Sequence, residues 1–167
     1  MLKFAVKFGH PIAVRYPRGV AYDGLKEYRA PIVLGRGEVI YQGSEIALVA
    51  VGSMVKAAVE VREKLMEKGY SCTLVNARFV KPIDGELIRE LCKEHRLLVA
   101  MEENVSNGGF GEKVRECVES MDTKAKMISI ALPDAYVEHG NVDILRKEVG
   151  IDLDSILKKV TEKYETL

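Results

Sequence analysis

Leu74-Val75-Asn76-Ala77-Arg78-Phe79-Val80-Lys81-Pro82-Ile83-Asp84 decides the fold of this chain. An apolar run ends there in two cations, a proline and an aspartate able to open a helix. The pattern predicts a buried strand that delivers Arg78 and Lys81 to its C-terminal end, the edge at which open α/β sheets bind ligands. The plainer alternative is a strand followed by a solvated turn, because Arg and Lys beside a proline are common surface residues.

Downstream the same alternation repeats. A helix is predicted over 84–95, with Leu87, Ile88, Leu91 and Cys92 on its apolar face, then a strand over 97–101, a helix over 109–121 and a strand over 127–131. Asn141 caps a helix over 142–149 that Gly150 ends, and 152–164 carries Ile156, Leu157 and Val160 at helical spacing. Upstream, Ile46-Ala47-Leu48-Val49-Ala50-Val51 is a nearly continuous apolar run, as a strand covered on both faces requires. The short strand over 35–43 before it reads as its hairpin partner, running antiparallel. Ser53 reads as the N-cap of a helix with Val55, Ala58, Val59, Arg62 and Leu65 on one face, ending at Gly69. Strands alternating with helices through short loops imply an α/β fold of three layers, α/β/α, around a mostly parallel five-stranded sheet with one antiparallel strand.

The first block does not fit this cycle. Residues 1–9 read as an amphipathic helix with Phe4 and Phe8 one turn apart, closed by Gly9, and Pro11-Ile12-Ala13-Val14-Arg15-Tyr16 reads as a strand. Their partners are missing from the neighbouring sequence, so they resemble the last layer of another domain, or else they add an edge to the main sheet. The division expected is a tail over 1–20, a linker over 21–34 and a domain over 35–167.

Composition bounds the function. With 167 residues, 47% of them hydrophobic and 30% charged, the chain can bury a real core. Its 25 basic residues balance 25 acidic ones, so no global field draws it to nucleic acid or to an anionic membrane, and an anion site must be local. Cys72, Cys92 and Cys117 lack metal-ligand spacing and sit in apolar patterns, which predicts buried thiols in a reducing, cytoplasmic setting. A membrane span needs ~20 consecutive apolar residues, and no run approaches that; the first residues lack a cleavable signal pattern.

Four loops fall near strand ends, among them Gly52-Ser53-Met54, Glu102-Glu103-Asn104-Val105-Ser106-Asn107-Gly108-Gly109-Phe110-Gly111 and Leu132-Pro133-Asp134-Ala135-Tyr136-Val137-Glu138-His139-Gly140, the fourth being 76–84. The glycines at 108–111 suit an anion cradle at a helix N-terminus. Their spacing is not that of a P-loop, and the acids Glu102 and Glu103 precede them, so a tight turn is the preferred reading. Glu102 and Glu103 themselves suit acid/base work or a cation, but for a glutamate pair ahead of a glycine loop the preferred reading is helix capping or pairing across an interface. His139 reads as a general base or as an ordinary loop residue, and without a nucleophile beside it the structural role is preferred.

Taken together, Val14-Arg15-Tyr16-Pro17-Arg18-Gly19, Val51-Gly52-Ser53-Met54, Val75-Asn76-Ala77-Arg78-Phe79-Val80-Lys81-Pro82, Glu102-Glu103-Asn104 with Gly108-Gly109-Phe110-Gly111, and Leu132-Pro133-Asp134 with Glu138-His139-Gly140 resemble the 1-deoxy-D-xylulose-5-phosphate synthase family, in that family's order. The resemblance covers the C-terminal transketolase-type domain and the tail of the pyrimidine-binding domain before it. It implies a transferase that condenses pyruvate with D-glyceraldehyde 3-phosphate on thiamine diphosphate and Mg, releasing carbon dioxide, at the start of non-mevalonate isoprenoid biosynthesis, with a product that also serves thiamine biosynthesis. The cofactor and metal would be bound by domains this chain does not contain, so the chain alone is expected to be inactive. By resemblance, Arg18 and Arg78 hold the acceptor's phosphate, with Arg15, Asp23, Lys81 and His139 as further candidates. Two planar guanidinium groups converging on one dianion would give orientation as well as charge. A homodimer is expected, with no nucleic-acid or membrane partner. The competing reading is a non-catalytic assembly domain of another transketolase-like or 2-oxoacid dehydrogenase enzyme.

Overall fold

A computed structural model describes residues 1–16 and 21–167. After a short helix α1 (Leu2–Lys7), the strands β1 (Glu38–Tyr41), β2 (Ile46–Ala50), β3 (Cys72–Asn76), β4 (Leu97–Val105) and β5 (Lys126–Leu132) alternate with helices α2 (Met54–Glu67), α3 (Gly85–Glu94) and α4 (Phe110–Glu119), and α5 (Val142–Glu148) and α6 (Leu153–Glu165) close the chain. The sheet order is β1-β3-β2-β4-β5. β2 to β5 run parallel, and β1 runs antiparallel to β3.

Side-chain alternation along the strands builds the layers. Ile46, Leu48 and Ala50 of β2 face Ala58, Val61 and Leu65 of α2 and Ile156 and Val160 of α6. Ala47 and Val49, one residue out of phase, face Ile88 and Leu91 of α3 and Phe110 and Val114 of α4. A strand covered on both faces has no polar side, which is why β2 is wholly apolar and fully buried. The three-layer expectation holds.

The hairpin does not. β1 and β2 are neighbours in sequence, but β3 lies between them. β2 satisfies both of its edges with parallel partners, β3 and β4, and leaves β1 to cap the outer edge of β3. The connection that crosses over β3 is held by polar clasps. The Gly43 amide donates to Thr73 Oγ1 at 2.9 Å, and the Ser71 amide donates to the Glu45 carboxylate at 2.6 Å. A Cβ on Gly43 would sit 2.5 Å from the Cys72 backbone, so only glycine fits the crossing.

Three smaller expectations also change. Residues 11–16 form no strand and pair with none of the five strands of the sheet. On α2 the fully buried position is Val61, while Arg62 lies partly exposed, with its guanidinium 4.3 Å over the Tyr41 ring and its Nε donating to the Cys72 carbonyl. β4 runs on through Glu102 and Glu103, which therefore belong to a strand and not to a loop.

The capping signals read correctly at Asp84 and Asn141, and Asp152 adds a third cap. Asp84 accepts from the Leu87 amide, Asn141 from those of Asp143 and Ile144, and Asp152 from that of Ser155. Ser53 is different: its hydroxyl makes no cap bond and turns instead to Glu103.

Candidate functional site

The C-terminal ends of β2, β3 and β4 lie side by side, and the parallel order brings together the residues at and just past those ends: Gly52-Ser53, Asn76 to Arg78, and Glu102-Glu103. Gly52 turns the chain at φ +61°, a conformation that favours glycine, before α2 begins.

Arg78 adopts the same left-handed region, with φ +58°, although it has a side chain. Such a conformation costs a non-glycine residue about 1–2 kcal/mol, and the surroundings must hold it. Two contacts do so. The Arg78 amide donates to Asn76 Oδ1 at 3.2 Å, and the guanidinium pairs with Glu38 of β1, both side chains being largely buried. Another guanidinium nitrogen donates to the Pro31 carbonyl at 3.4 Å. The edge strand thus orients the arginine.

A groove of about 1320 Å³ opens beside it, lined by Arg78, Asn76, Gly52, Arg15 and Arg29 together with Lys3 and Lys7 of α1. Among the described residues its lining carries five cationic side chains, Lys3, Lys7, Arg15, Arg29 and Arg78, and not one carboxylate side chain. The chain as a whole is neutral, so the groove is a local concentration of positive charge. α1 reaches the groove by packing the Phe4 ring edge-on against Phe79, centroids 5.9 Å apart.

The residues singled out by sequence are only partly united here. Arg15 and Arg78 both line the groove. Arg18 lies outside the described residues. Asp23 pairs with Lys26 at 2.7 Å on the surface, Lys81 is exposed, and His139 sits in an exposed loop; none of these three lines the groove. Sequence reasoning did not anticipate Glu38 as the partner of Arg78, nor the cations Lys3, Lys7 and Arg29. No short-range pattern links them, because the fold brings them together from distant segments.

The glutamate pair divides its work. The Glu102 carboxylate, 3% exposed, accepts from the Phe110 amide at 2.8 Å and the Gly111 amide at 2.7 Å. It thereby fills the helix N-terminus that a bound phosphate would need, and the tight-turn reading of 108–111 stands. Glu103 faces the other way. Its Oε2 accepts from Ser53 Oγ at 2.6 Å, its Oε1 from Arg146 Nε at 3.1 Å and Nη2 at 2.6 Å, and its backbone carbonyl from Arg15 at 3.3 Å. Burial alone would push its carboxyl up; the Ser53 hydroxyl and the Arg146 and Arg15 cations outweigh this and hold it below its ordinary range.

The thiols carry no chemistry at this edge. Burial pushes all three upward, Cys72 to about 12. Such thiols stay protonated and poorly nucleophilic.

Known proteins share this arrangement of strands and helices. Residues 35–156 match the model of the transketolase C-terminal domain, and the chain belongs to that family. It is 46% identical over 161 residues to the 1-deoxy-D-xylulose-5-phosphate synthase of Lachnoclostridium phytofermentans, covering 96% of this chain and 26% of that protein. It is 40% identical to the enzyme of the same name from Heliobacterium modesticaldum, covering 97% and 25%. The chain thus spans about a quarter of the length of the curated relatives it matches. Among solved structures, a split-gene transketolase described as an inactive β4 tetramer superposes with a TM-score of 0.75 at 26% identity, over 83% of this chain and 46% of that one. The transketolase of Campylobacter jejuni superposes at 0.58 with 11% identity, over 77% of this chain and 18% of that one, a likeness of fold alone.

Proposed function

We propose that this chain is the C-terminal part of a thiamine diphosphate-dependent synthase that joins pyruvate to D-glyceraldehyde 3-phosphate, giving 1-deoxy-D-xylulose 5-phosphate and carbon dioxide. Its own share of the work is to grip the acceptor's phosphate and to help assemble the subunits. The reading rests on one observation above all: Arg78, held in a strained conformation by Glu38 and Asn76, lines a groove rich in cations at the sheet edge where ligands bind. A guanidinium there offers a phosphate two parallel donors, while Arg15, and Arg18 three residues on in sequence, would complete the clamp. The identity to relatives named for this synthase supports the same substrate.

On this reading the cofactor and its metal are bound by other domains of the full-length enzyme. Among the described residues no group of three or more His, Cys, Asp or Glu is placed to hold a metal ion. The start of α4, whose free amides would suit an anion, is filled by Glu102. Calorimetric titration of the chain with cofactor and magnesium should give no heat of binding, and micromolar affinity would overturn this division of labour. The solved relative described as an inactive tetramer of β chains is the behaviour we expect of such a part on its own, homo-oligomer included.

The decisive experiment uses the full-length enzyme. Arg78→Ala should raise KM for glyceraldehyde 3-phosphate and leave KM for pyruvate nearly unchanged. One lost charge-assisted contact corresponds to about a ten- to hundredfold fall in kcat/KM. Arg78→Lys should recover only part, since an ammonium keeps the charge and loses the fork. A second reading, a purely assembling domain, is favoured by the fact that Arg78 already has an internal partner in Glu38. On that reading Arg78→Ala alters both KM values equally or weakens association of subunits.

A further inference from the structure

From Pro133 to Gly150 not one residue is fully buried, and α5 within this span contributes no core residue at all. The chain on either side is anchored: Ile130 and Ile151 are each nearly inaccessible. Apart from Val149 at its far end, which packs partly against the core, no apolar face holds the intervening segment down. Val142 and Ile144 are 58% and 60% exposed, and Tyr136 is fully exposed. The remaining attachment is polar and sits at the two ends. Asn107 Nδ2 donates to Asp134 Oδ2 at 2.8 Å where the segment leaves β5, and Arg146 grips Glu103 Oε1 with two nitrogens where it returns. Both anchors, Asn107 and Glu103, belong to the C-terminal end of β4 and the turn after it. Gly150, at φ +71°, supplies a turn at the far end.

We propose that residues 133–149 form a strap that opens and closes as one unit against the C-terminal edge of the sheet, with the Glu103–Arg146 pair as its latch. Local opening belongs to segments with few buried apolar contacts, and here the latch is the main tertiary attachment. Glu103 is a positioning residue in this arrangement. The same carboxylate that receives Arg146 also receives Ser53 at the start of α2, and its peptide carbonyl receives Arg15 from the groove wall. Closing the strap therefore fixes three segments at once: the strap itself, the start of α2 and the segment that carries Arg15. Opening leaves Glu103 to Ser53 and Arg15.

Hydrogen exchange read by mass spectrometry tests this on the intact chain. Glu103→Gln and Arg146→Gln should each speed exchange of the amides in 142–149 by about tenfold, the worth of one partly exposed charge-assisted pair, while β2 and β3 keep their protection. The double variant should be no faster than either single one, because both remove the same latch. In the unaltered chain, raising salt from ~0.1 M to ~1 M should move the same amides in the same direction, since the pair is partly open to solvent. Unchanged exchange in 142–149 in both single variants would overturn the proposal, and so would additive effects in the double variant or acceleration spread evenly over the sheet. Should Glu103→Gln fail to fold, Arg146→Gln and the salt series still decide the matter.

Discussion

Arg78, just past β3, and Glu38, on the edge strand β1, form an ion pair across 40 residues of sequence, with side chains only 8% and 10% exposed. Removing one member of such a pair strands the other charge in a poorly solvated site, at a cost of about 3 kcal/mol. Glu38→Ala should be the more damaging change, because Glu38 also accepts from the Ala30 amide at 2.8 Å. Chemical denaturation of Arg78→Ala, Glu38→Ala and the double variant should show the double well short of the sum, and additivity would mean that the pair contributes nothing.

The backbone at Arg78 adds a prediction of opposite sign to the usual rule. Glycine normally destabilises relative to alanine, but at φ +58° it removes the strain that any Cβ carries. Arg78→Gly should therefore unfold at higher denaturant than Arg78→Ala, a difference of about 1 kcal/mol.

Glu102 stands in for an external anion at the start of α4. Glu102→Ala should expose the Phe110 and Gly111 amides as orphan donors and cost about 2 kcal/mol. Phosphate or sulfate should then raise the Tm of this variant more than that of the unaltered chain, since the vacated helix start suits an oxyanion. Equal shifts in the two proteins would count against the capping role.

For Glu103 the sign of the pH dependence comes from its depressed carboxyl. A group held lower in the folded state contributes stability that is present above its unfolded value, about 4.3, and is lost as pH falls through the folded value. Protection of 142–149 against exchange, corrected for intrinsic rates, should be constant around neutral pH and decline below about pH 4. Glu103→Gln should lack that decline.

Thiol labelling checks the packing. Cys72, pushed up to about 12 and fully buried in the α2 and α6 layer, should resist an alkylating reagent at neutral pH until the protein unfolds. Cys117, partly exposed on α4, should react first. Rapid native labelling of Cys72 would contradict the assigned layer.

Much of the fold is written in local pattern. Asp84 and Asn141 marked their helix starts because a short acceptor side chain reaches an amide two or three residues on, a contact that needs nothing distant. The apolar run at 46–50 announced a strand covered on both faces, and with it the three layers. The motifs around Arg15, Arg78 and Glu102 sufficed to point to the family. Tertiary structure alone decided which strands pair, because nothing in the sequence of β1 says that β3 will come between it and β2. It also decided what the charged residues touch. Glu38 meets Arg78, and Glu103 meets Ser53 and Arg146, each contact lying beyond the reach of neighbouring residues. The partners of Arg78 and Glu103 depend on where the sheet order sets down segments 40 or more residues apart, whereas a residue's helix or strand depends on neighbours within a turn or two.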